Sequence, residues 1–289
     1  MGRINYVNGR YVRHPRARVH IEDRGFQFAD GVYEVFAIRR GHLLDADRHF
    51  ERLARSLSAL RIPAPMSRPA LQVVFAELIR RNGSPANGVL YLQITRGAAP
   101  RNHAFPPHAV PTLVATVRSL PPVDHASLRA GVRVISLPDI RWQRPDIKSV
   151  SLLPNVLAKQ QAVEAGAYEA WLVDGEGMVT EGTASNAWII TADGELVTRP
   201  ADTSILNGIT RIVVIELADR CNVRVVERPF SVAEAKAAKE AFLTGTTSLV
   251  KPVIRIDDTP IGDGSMGTIT AQLQAAYLGH LEDEERIDR

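Results

Sequence analysis

Cysteine is almost missing from this chain: Cys221 stands alone among 289 residues. A single cysteine excludes an intrachain disulfide and any multi-cysteine metal centre. In Ala-Asp-Arg-Cys-Asn it reads as a half-buried thiol at a helix end. No apolar run approaches the roughly 18 residues needed to cross a bilayer. The opening Met-Gly-Arg-Ile-Asn-Tyr lacks the apolar core of a signal peptide, and Tyr6 stands where a myristoylation signal wants Ser or Thr. These absences point to a cytoplasmic protein with no membrane partner. Net charge is only +3, and no Lys/Arg cluster is interleaved with aromatics, which argues against nucleic-acid binding. No metal is expected. Lysine is scarce as well: 5 Lys stand against 30 Arg.

What is present is ordinary for a soluble globular protein: 45% hydrophobic and 23% charged residues. The length suits two domains. Ile4 to Val12 reads as a hairpin, because Asn8-Gly9 fits a type I′ turn between alternating residues. A strand is predicted from Gly31 to Ile38, with a short return from His42 to Leu44. A helix follows from about Ala46 to Leu60, with Phe50, Leu53, Leu57 and Leu60 on one face. A second runs from about Pro69 to Arg81, with Ser67 as N-cap and Asn82-Gly83 as its stop. Gly88 to Thr95 and Thr112 to Val117 read as buried strands.

Ser119-Leu-Pro-Pro-Val-Asp124 is the linker candidate, since paired prolines stiffen and extend it. It separates a small N-terminal α/β domain, 1–118, from a larger domain, 125–289. In the second domain, strands are predicted at Gly131 to Leu137 and Tyr168 to Val173, with a helix from about Leu152 to Ala165 between them. Shorter strands follow near 178–181, 185–190, 195–198, 223–228, 241–244 and 250–256. Helices fall near 210–220, 232–239 and 267–281. The tail, Glu282 to Arg289, reads as a solvated helix end or a frayed terminus.

Because arginine supplies most of the positive charge, each lysine raises the question of chemistry. Arginine stays protonated, whereas lysine can lose its proton and become a nucleophile. Lys236 and Lys239 read as exposed helix residues, Lys159 as a residue of a good helix former, and Lys251 as a strand residue before a proline. Lys148 follows Asp146-Ile147 in a short extended stretch and by itself reads as an ordinary strand-end lysine. Two loops bear on phosphate. Gly208-Ile209-Thr210-Arg211 opens a helix, where backbone N–H groups and the dipole favour anions. Thr244-Gly-Thr-Thr-Ser248 is dense in hydroxyls after a strand. Each is equally well a cap or a turn, and neither is a dinucleotide fingerprint or a P-loop. Glu181 ends a short strand ahead of Gly182 and hydroxyls, either as a fixed charge at a turn or as a solvated strand end.

Taken together, these pieces resemble the fold-type IV pyridoxal-phosphate enzymes. The matching motifs are Asp30-Gly-Val-Tyr33-Glu, His49-Phe-Glu-Arg52-Leu, Thr95-Arg96-Gly97, Asp146-Ile-Lys148-Ser, Thr180-Glu181-Gly182, Ser185-Asn186, Leu206-Asn-Gly-Ile-Thr210-Arg211 and Thr244-Gly-Thr-Thr247. They keep the family's order and spacing over most of the chain. The resemblance implies a mixed α+β, two-domain architecture with pyridoxal 5'-phosphate as cofactor. It assigns Lys148 to the Schiff base, which needs a deprotonated amine. It assigns Glu181 to the pyridine nitrogen, Leu206 to the ring face, Arg52, Ile209, Thr210 and Thr246 to the phosphate cup, and Gly208 to cofactor binding.

The narrower match is to the D-amino-acid aminotransferases and rests on Arg101-Asn-His103. There, Arg101, His103 and Tyr33 are implied to trap the substrate α-carboxylate, which suits the fork of Arg and the hydroxyl of Tyr. The implied reaction moves the amino group of a D-amino acid to a 2-oxo acid by a ping-pong route, with Lys148 as base and then acid. A homodimer is implied, with the Arg101 loop serving the partner subunit's site. Branched-chain aminotransferase, aminodeoxychorismate lyase and a non-catalytic cofactor-binding protein are the alternatives. Two departures stand out: Gly245 lacks a hydroxyl found in some members, and Thr183-Ala184 replaces a more serine-rich turn.

Overall fold

A computed structural model describes residues 2–287, with side chains through residue 284. The chain divides into two compact units. The first comprises Met1–Pro122, Ile147–Ser151 and Glu284–Arg289, and the second Val123–Asp146 and Leu152–Asp283.

The first unit holds β1 (Ile4–Val7), β2 (Arg10–Arg13), α1 (Arg24–Phe28), β3 (Gly31–Arg39), β4 (His42–Leu43), α2 (Ala46–Ala59), α3 (Arg68–Arg81), β5 (Asn87–Thr95) and β6 (Thr112–Ser119). Its antiparallel sheet runs in the order β2-β1-β6-β5-β3-β4. The expected hairpin is present. Val7 pairs with Arg10, and Asn8 (φ 44°) and Gly9 (φ 87°) both take the left-handed conformation that a type I′ turn requires. Ser67 caps α3 by accepting from the Ala70 N–H, and Gly83 (φ 81°) follows its C-cap.

The buried face of α2 is only half apolar. Phe50, Leu53 and Leu57 join the core with Val32, Phe36 and Phe75, but His49, Arg52 and Ser56 are buried as well. Periodicity alone marks the apolar residues; the polar ones need a partner on the facing strand. That partner comes from β3.

The segment Ile147–Ser151 belongs to this first unit. β4 pairs only with the far end of β3, at Ile38 and Arg39, so the near end is left for another chain segment. Residues 147–150 take it. Ser149 bridges Val32, the Tyr33 N–H donates to the Lys148 carbonyl at 3.0 Å, and the Val150 N–H donates to the Gly31 carbonyl at 3.0 Å. Ile147 anchors the segment in the core.

The second unit holds α4 (His125–Ala130), β7 (Val132–Pro138), α5 (Leu153–Glu164), β8 (Glu169–Val173), β9 (Val179–Gly182), β10 (Asn186–Ile190), β11 (Leu196–Thr198), α6 (Ile209–Arg220), β12 (Val225–Glu227), α7 (Val232–Ala237), β13 (Glu240–Gly245), β14 (Leu249–Ile256), β15 (Thr259–Pro260) and α8 (Thr268–Ile287). Its mixed sheet runs β12-β11-β10-β13-β14-β7-β8-β9, with β15 on β14. β7 and β8 are parallel neighbours, so the chain between them must cross over, and α5 lies in that crossover. Trp171, Ile189, Phe230, Leu243 and Val253 are buried in one cluster.

Two helices escape the sequence pattern, Arg24–Phe28 and His125–Ala130, because five or six residues are too few to show a period. Asp23 and Asp124 cap them through side-chain acceptance. The helix predicted to 239 stops at Ala237, which leaves Lys239 outside it. Cys221 is the half-buried C-cap of α6. The tail is helical to Ile287, while Asp288 and Arg289 lie outside the described residues.

Candidate active site

In the first unit the candidate residues gather along β3 and α2. Lys148 Nζ lies 3.3 Å from the Tyr33 hydroxyl and 4.3 Å from the centre of its ring. The Lys148 N–H donates to Ser56 Oγ at 3.3 Å, so α2 fixes the lysine backbone from the other side. Tyr33 stacks on Tyr91 at 5.8 Å, and burial pushes the Tyr91 hydroxyl up to about 12. The Tyr91 hydroxyl therefore stays protonated at neutral pH and donates to Gln93 at 2.7 Å.

Arg52 sits one turn before Ser56. Its Nε and a terminal nitrogen donate to Glu34 at 2.8 and 2.9 Å. His49 Nδ1 donates to the same carboxylate at 2.7 Å. Glu34 is 0% exposed. Burial opposes its ionisation, but the Arg52 charge and the hydrogen bonds of Arg52 and His49 prevail and hold the carboxyl far below its ordinary range. Burial depresses His49 despite its bond to Glu34. Arg52 is thus a buried guanidinium whose orientation is set by a carboxylate.

Arg101 and His103 lie on the exposed loop after β5. The Arg101 guanidinium carbon sits 4.7 Å from the centre of the Phe28 ring, and the His103 ring lies 5.3 Å from it. Arg24 donates to the carbonyls of Asn102, His103 and Ala104 and pairs with Asp30 at 2.8 Å. Arg96 pairs with Asp30 as well. The loop is therefore tied down by its backbone, and its two candidate side chains both pack near the Phe28 ring. Among the described residues, no hydrogen bond links Arg101 or His103 to Tyr33 or Lys148.

In the second unit the centre is Glu181, buried on β9. Arg141 donates to Oε1, Asn186 Nδ2 donates to Oε2 at 3.0 Å, and the Leu206 N–H lies 3.2 Å from both oxygens. Arg141 also pairs with Asp139 at 2.7 Å, and Thr180 donates to Asp139 at 2.8 Å. Burial works against the Arg141 charge, yet Asp139 and Glu181 outweigh it and keep the guanidinium protonated.

Asn186 joins this carboxylate to the start of α6. Its Nδ2 also donates to the Leu206 carbonyl at 2.8 Å. Its Oδ1 occupies the space that a Cβ on Gly208 would need, so the N-cap has no room for a side chain. No side chain caps α6. First-turn N–H groups have no intrahelical acceptor, so Ile209 and Thr210 stand at a donor-rich helix start. The Thr210 hydroxyl lies 3.3 Å from the Tyr277 hydroxyl. The 244–248 turn adjoins the same strand pair, since Thr244 pairs with Asn186 across β10 and β13. Thr246, half-buried, follows within that turn.

The other lysines have plain roles. Lys236 pairs with Asp257 at 2.7 Å, Lys159 reaches the Tyr168 carbonyl, and Lys251 lies 5.4 Å from the centre of the Tyr168 ring. Glu34, His49, Asp139, Arg141 and Asn186 were not singled out as site residues by sequence reasoning. Glu34, His49 and Asn186 lie inside the quoted motifs, which was the available signal. Asp139 carried none, and Arg141 carried only the resemblance of the segment from Ile140 to Lys148 to the D-amino-acid aminotransferases.

The pattern of the family described as amino-transferase class IV matches residues 31–256. The chain belongs to this family. A D-alanine aminotransferase of Staphylococcus aureus strain N315 is 42% identical over 96% of this chain and 97% of its own length. Among solved class IV folds, the T.th. branched-chain amino acid aminotransferase with pyridoxamine 5'-phosphate superposes with a TM-score of 0.88 at 26% identity, covering 96% of this chain and 93% of its own. The 4-amino-4-deoxychorismate lyase of Pseudomonas aeruginosa gives 0.81 at 28% identity, covering 94% and 97%. The motifs from Asp30 to Thr247 fall within the class IV match, apart from Asp30 itself. The described residues contain no helix long and apolar enough to cross a membrane.

Proposed function

We propose that this chain is a pyridoxal-phosphate-dependent transaminase that passes the amino group of D-amino acids to 2-oxo acids. The observation that carries the reading is the lysine: Lys148, one of five in the chain, is held by its backbone with its amine 3.3 Å from the Tyr33 hydroxyl. Substrate class rests on similarity to D-alanine aminotransferases over 96% of the chain.

The residues present fit the cofactor. Gly208 leaves a helix start clear of side chain, Glu181 is an ordered carboxylate for a pyridinium nitrogen, and Lys148 supplies an amine. By the family resemblance, Arg52, Ile209, Thr210 and Thr246 would hold the phosphate, and Leu206 would pack on the ring. When bound, pyridoxal phosphate supplies an electrophilic aldehyde and a ring that accepts the electrons released at the substrate α-carbon. Lys148 is assigned to carry the proton from the substrate Cα to the cofactor C4′ carbon, as base and then acid. Tyr33 stands within reach of that amine and orients it. Arg101 and His103 are assigned to the α-carboxylate, a task for a guanidinium fork and a second donor.

The reading includes a cytoplasmic homodimer. Arg101 and His103 are exposed in the single chain on a loop whose backbone is anchored, which suits residues offered to a partner subunit. Purified protein supplied with D- and L-amino acids and pyruvate or 2-oxoglutarate tests the function. D-amino acids should be turned over only with an oxo-acid acceptor. Faster turnover of L-leucine or L-valine would move the chain to the branched-chain branch. Pyruvate release from aminodeoxychorismate without an acceptor would make it a lyase.

A further inference from the structure

β8 buries a carboxylate that the reading above does not use. Glu169 is 2% exposed. It accepts hydrogen bonds from the Thr183 hydroxyl at 2.8 Å, the Ala184 N–H at 2.6 Å and the Ser185 hydroxyl at 2.5 Å. The three donors are consecutive and lie in the turn that joins β9 to β10. Three consecutive donors thus converge on one side chain, and a carboxyl group has two oxygens to receive them. Burial raises the Glu169 carboxyl above the usual carboxylate range, and these bonds, with the Lys159 charge, offset it only in part.

The turn has no slack. The Gly182 N–H donates to the Ser185 carbonyl at 2.7 Å, and the Thr183 N–H to the Ala170 carbonyl at 3.1 Å. A Cβ on Gly182 would collide with Ser185 Oγ and stand 2.8 Å from Glu169 Oε2. Immediately outside the turn are Glu181 on one side and Asn186 on the other, which bond to each other at 3.0 Å. Its crest lies close to the 244–248 turn: the Ala184 carbonyl is 3.3 Å from where a Cβ on Gly245 would stand.

We propose that Glu169 is a positioning residue of the cofactor site: it holds the 182–185 turn in the shape that sets Glu181, Asn186 and the Gly245–Thr246 loop. The proposal rests on the assignment of Glu181 to the pyridine nitrogen and Thr246 to the phosphate. Glu169 touches neither group. It acts through three bonds to the turn between them.

Glu169→Leu puts an apolar side chain of similar length in this place and leaves all three donors without an acceptor. In the apoprotein, dissociation constants for pyridoxal phosphate are measured by fluorescence, with thermal unfolding beside them. The holoenzyme's visible absorption band is titrated with pH. Glu169→Leu should weaken cofactor binding about tenfold and move the band's titration, the effect of about one hydrogen bond to the cofactor made less well once the turn loosens. Ser185→Ala and Thr183→Val each remove one donor and should give smaller shifts in the same direction. If Glu169→Leu does not fold, these two variants carry the test. A lower melting temperature with unchanged affinity and unchanged band would make Glu169 merely structural and overturn the proposal. A parent protein that bound no pyridoxal phosphate would overturn the functional reading and this proposal together.

Discussion

The amine of Lys148 and the hydroxyl of Tyr33 stand 3.3 Å apart, on two segments that pair backbone to backbone along β3. Because the Tyr33 N–H donates to the Lys148 carbonyl, the two backbones that carry these side chains cannot separate without breaking the strand edge. Tyr33→Phe keeps the ring under the amine and removes only the hydroxyl. We expect kcat for D-alanine to fall about tenfold, the effect of losing one hydrogen bond to a positioned group. Cofactor content, read from absorbance, should stay at the parent level. Loss of cofactor in this variant would assign Tyr33 to cofactor retention instead.

Arg52 calls for a gentler substitution than alanine. Removing the guanidinium leaves Glu34 buried without its main partner, at a cost of about 3–5 kcal/mol. Arg52→Lys keeps the charge and loses the fork. Its expected effect is a roughly tenfold weaker hold on pyridoxal phosphate, with substrate preference unchanged. A variant that retained cofactor through extended dialysis as the parent does would remove Arg52 from the phosphate cup.

His49 sets a pH dependence of stability. Its folded pKa lies below the unfolded value of about 6.5, so the unfolded chain binds a proton that the folded one resists. The His49 contribution is intact above that pH and is lost as pH falls below it. Urea unfolding of the apoprotein from about pH 7.5 down to about 5 should show stability falling, and His49→Gln should flatten that slope. An unchanged slope would mean that His49 does not titrate in this window.

The loop pair separates substrate from cofactor. Arg101→Ala should lower kcat/KM for D-alanine on the order of 10²-fold, chiefly through KM, because ground and transition states both carry the carboxylate. His103→Ala should cost less. Cofactor binding should be unaffected in both, unlike in Arg52→Lys. Equal losses for D-alanine and a substrate lacking the α-carboxylate would refute the clamp.

Much of the fold was legible in the sequence. Asn8-Gly9 marks a type I′ hairpin, and Phe50, Leu53 and Leu57 mark the inner face of α2, because both signals are local. Long-range pairings were not legible. Glu34 follows Tyr33 on β3 and looks like a solvated strand residue; only the approach of α2 buries it against Arg52 and His49. Arg141 reads as one arginine among many until the fold brings it to Glu181. Glu169, in Tyr-Glu-Ala-Trp-Leu, is a lone charge at the start of an apolar strand, and only the fold brings it to the hydroxyls of the 182–185 turn. Lys148 was reached by motif, and its neighbours explain how it is held: the lysine segment fills the edge of β3 that β4 leaves uncovered.

The most direct measurement is chemical. Holoenzyme reduced with borohydride, digested and mapped by mass spectrometry reports which lysine carries the cofactor. We expect the label on Lys148, and Lys148→Ala should carry no label and show no transamination while remaining folded by circular dichroism. Label on Lys159 or Lys251, or full activity in Lys148→Ala, would contradict the account.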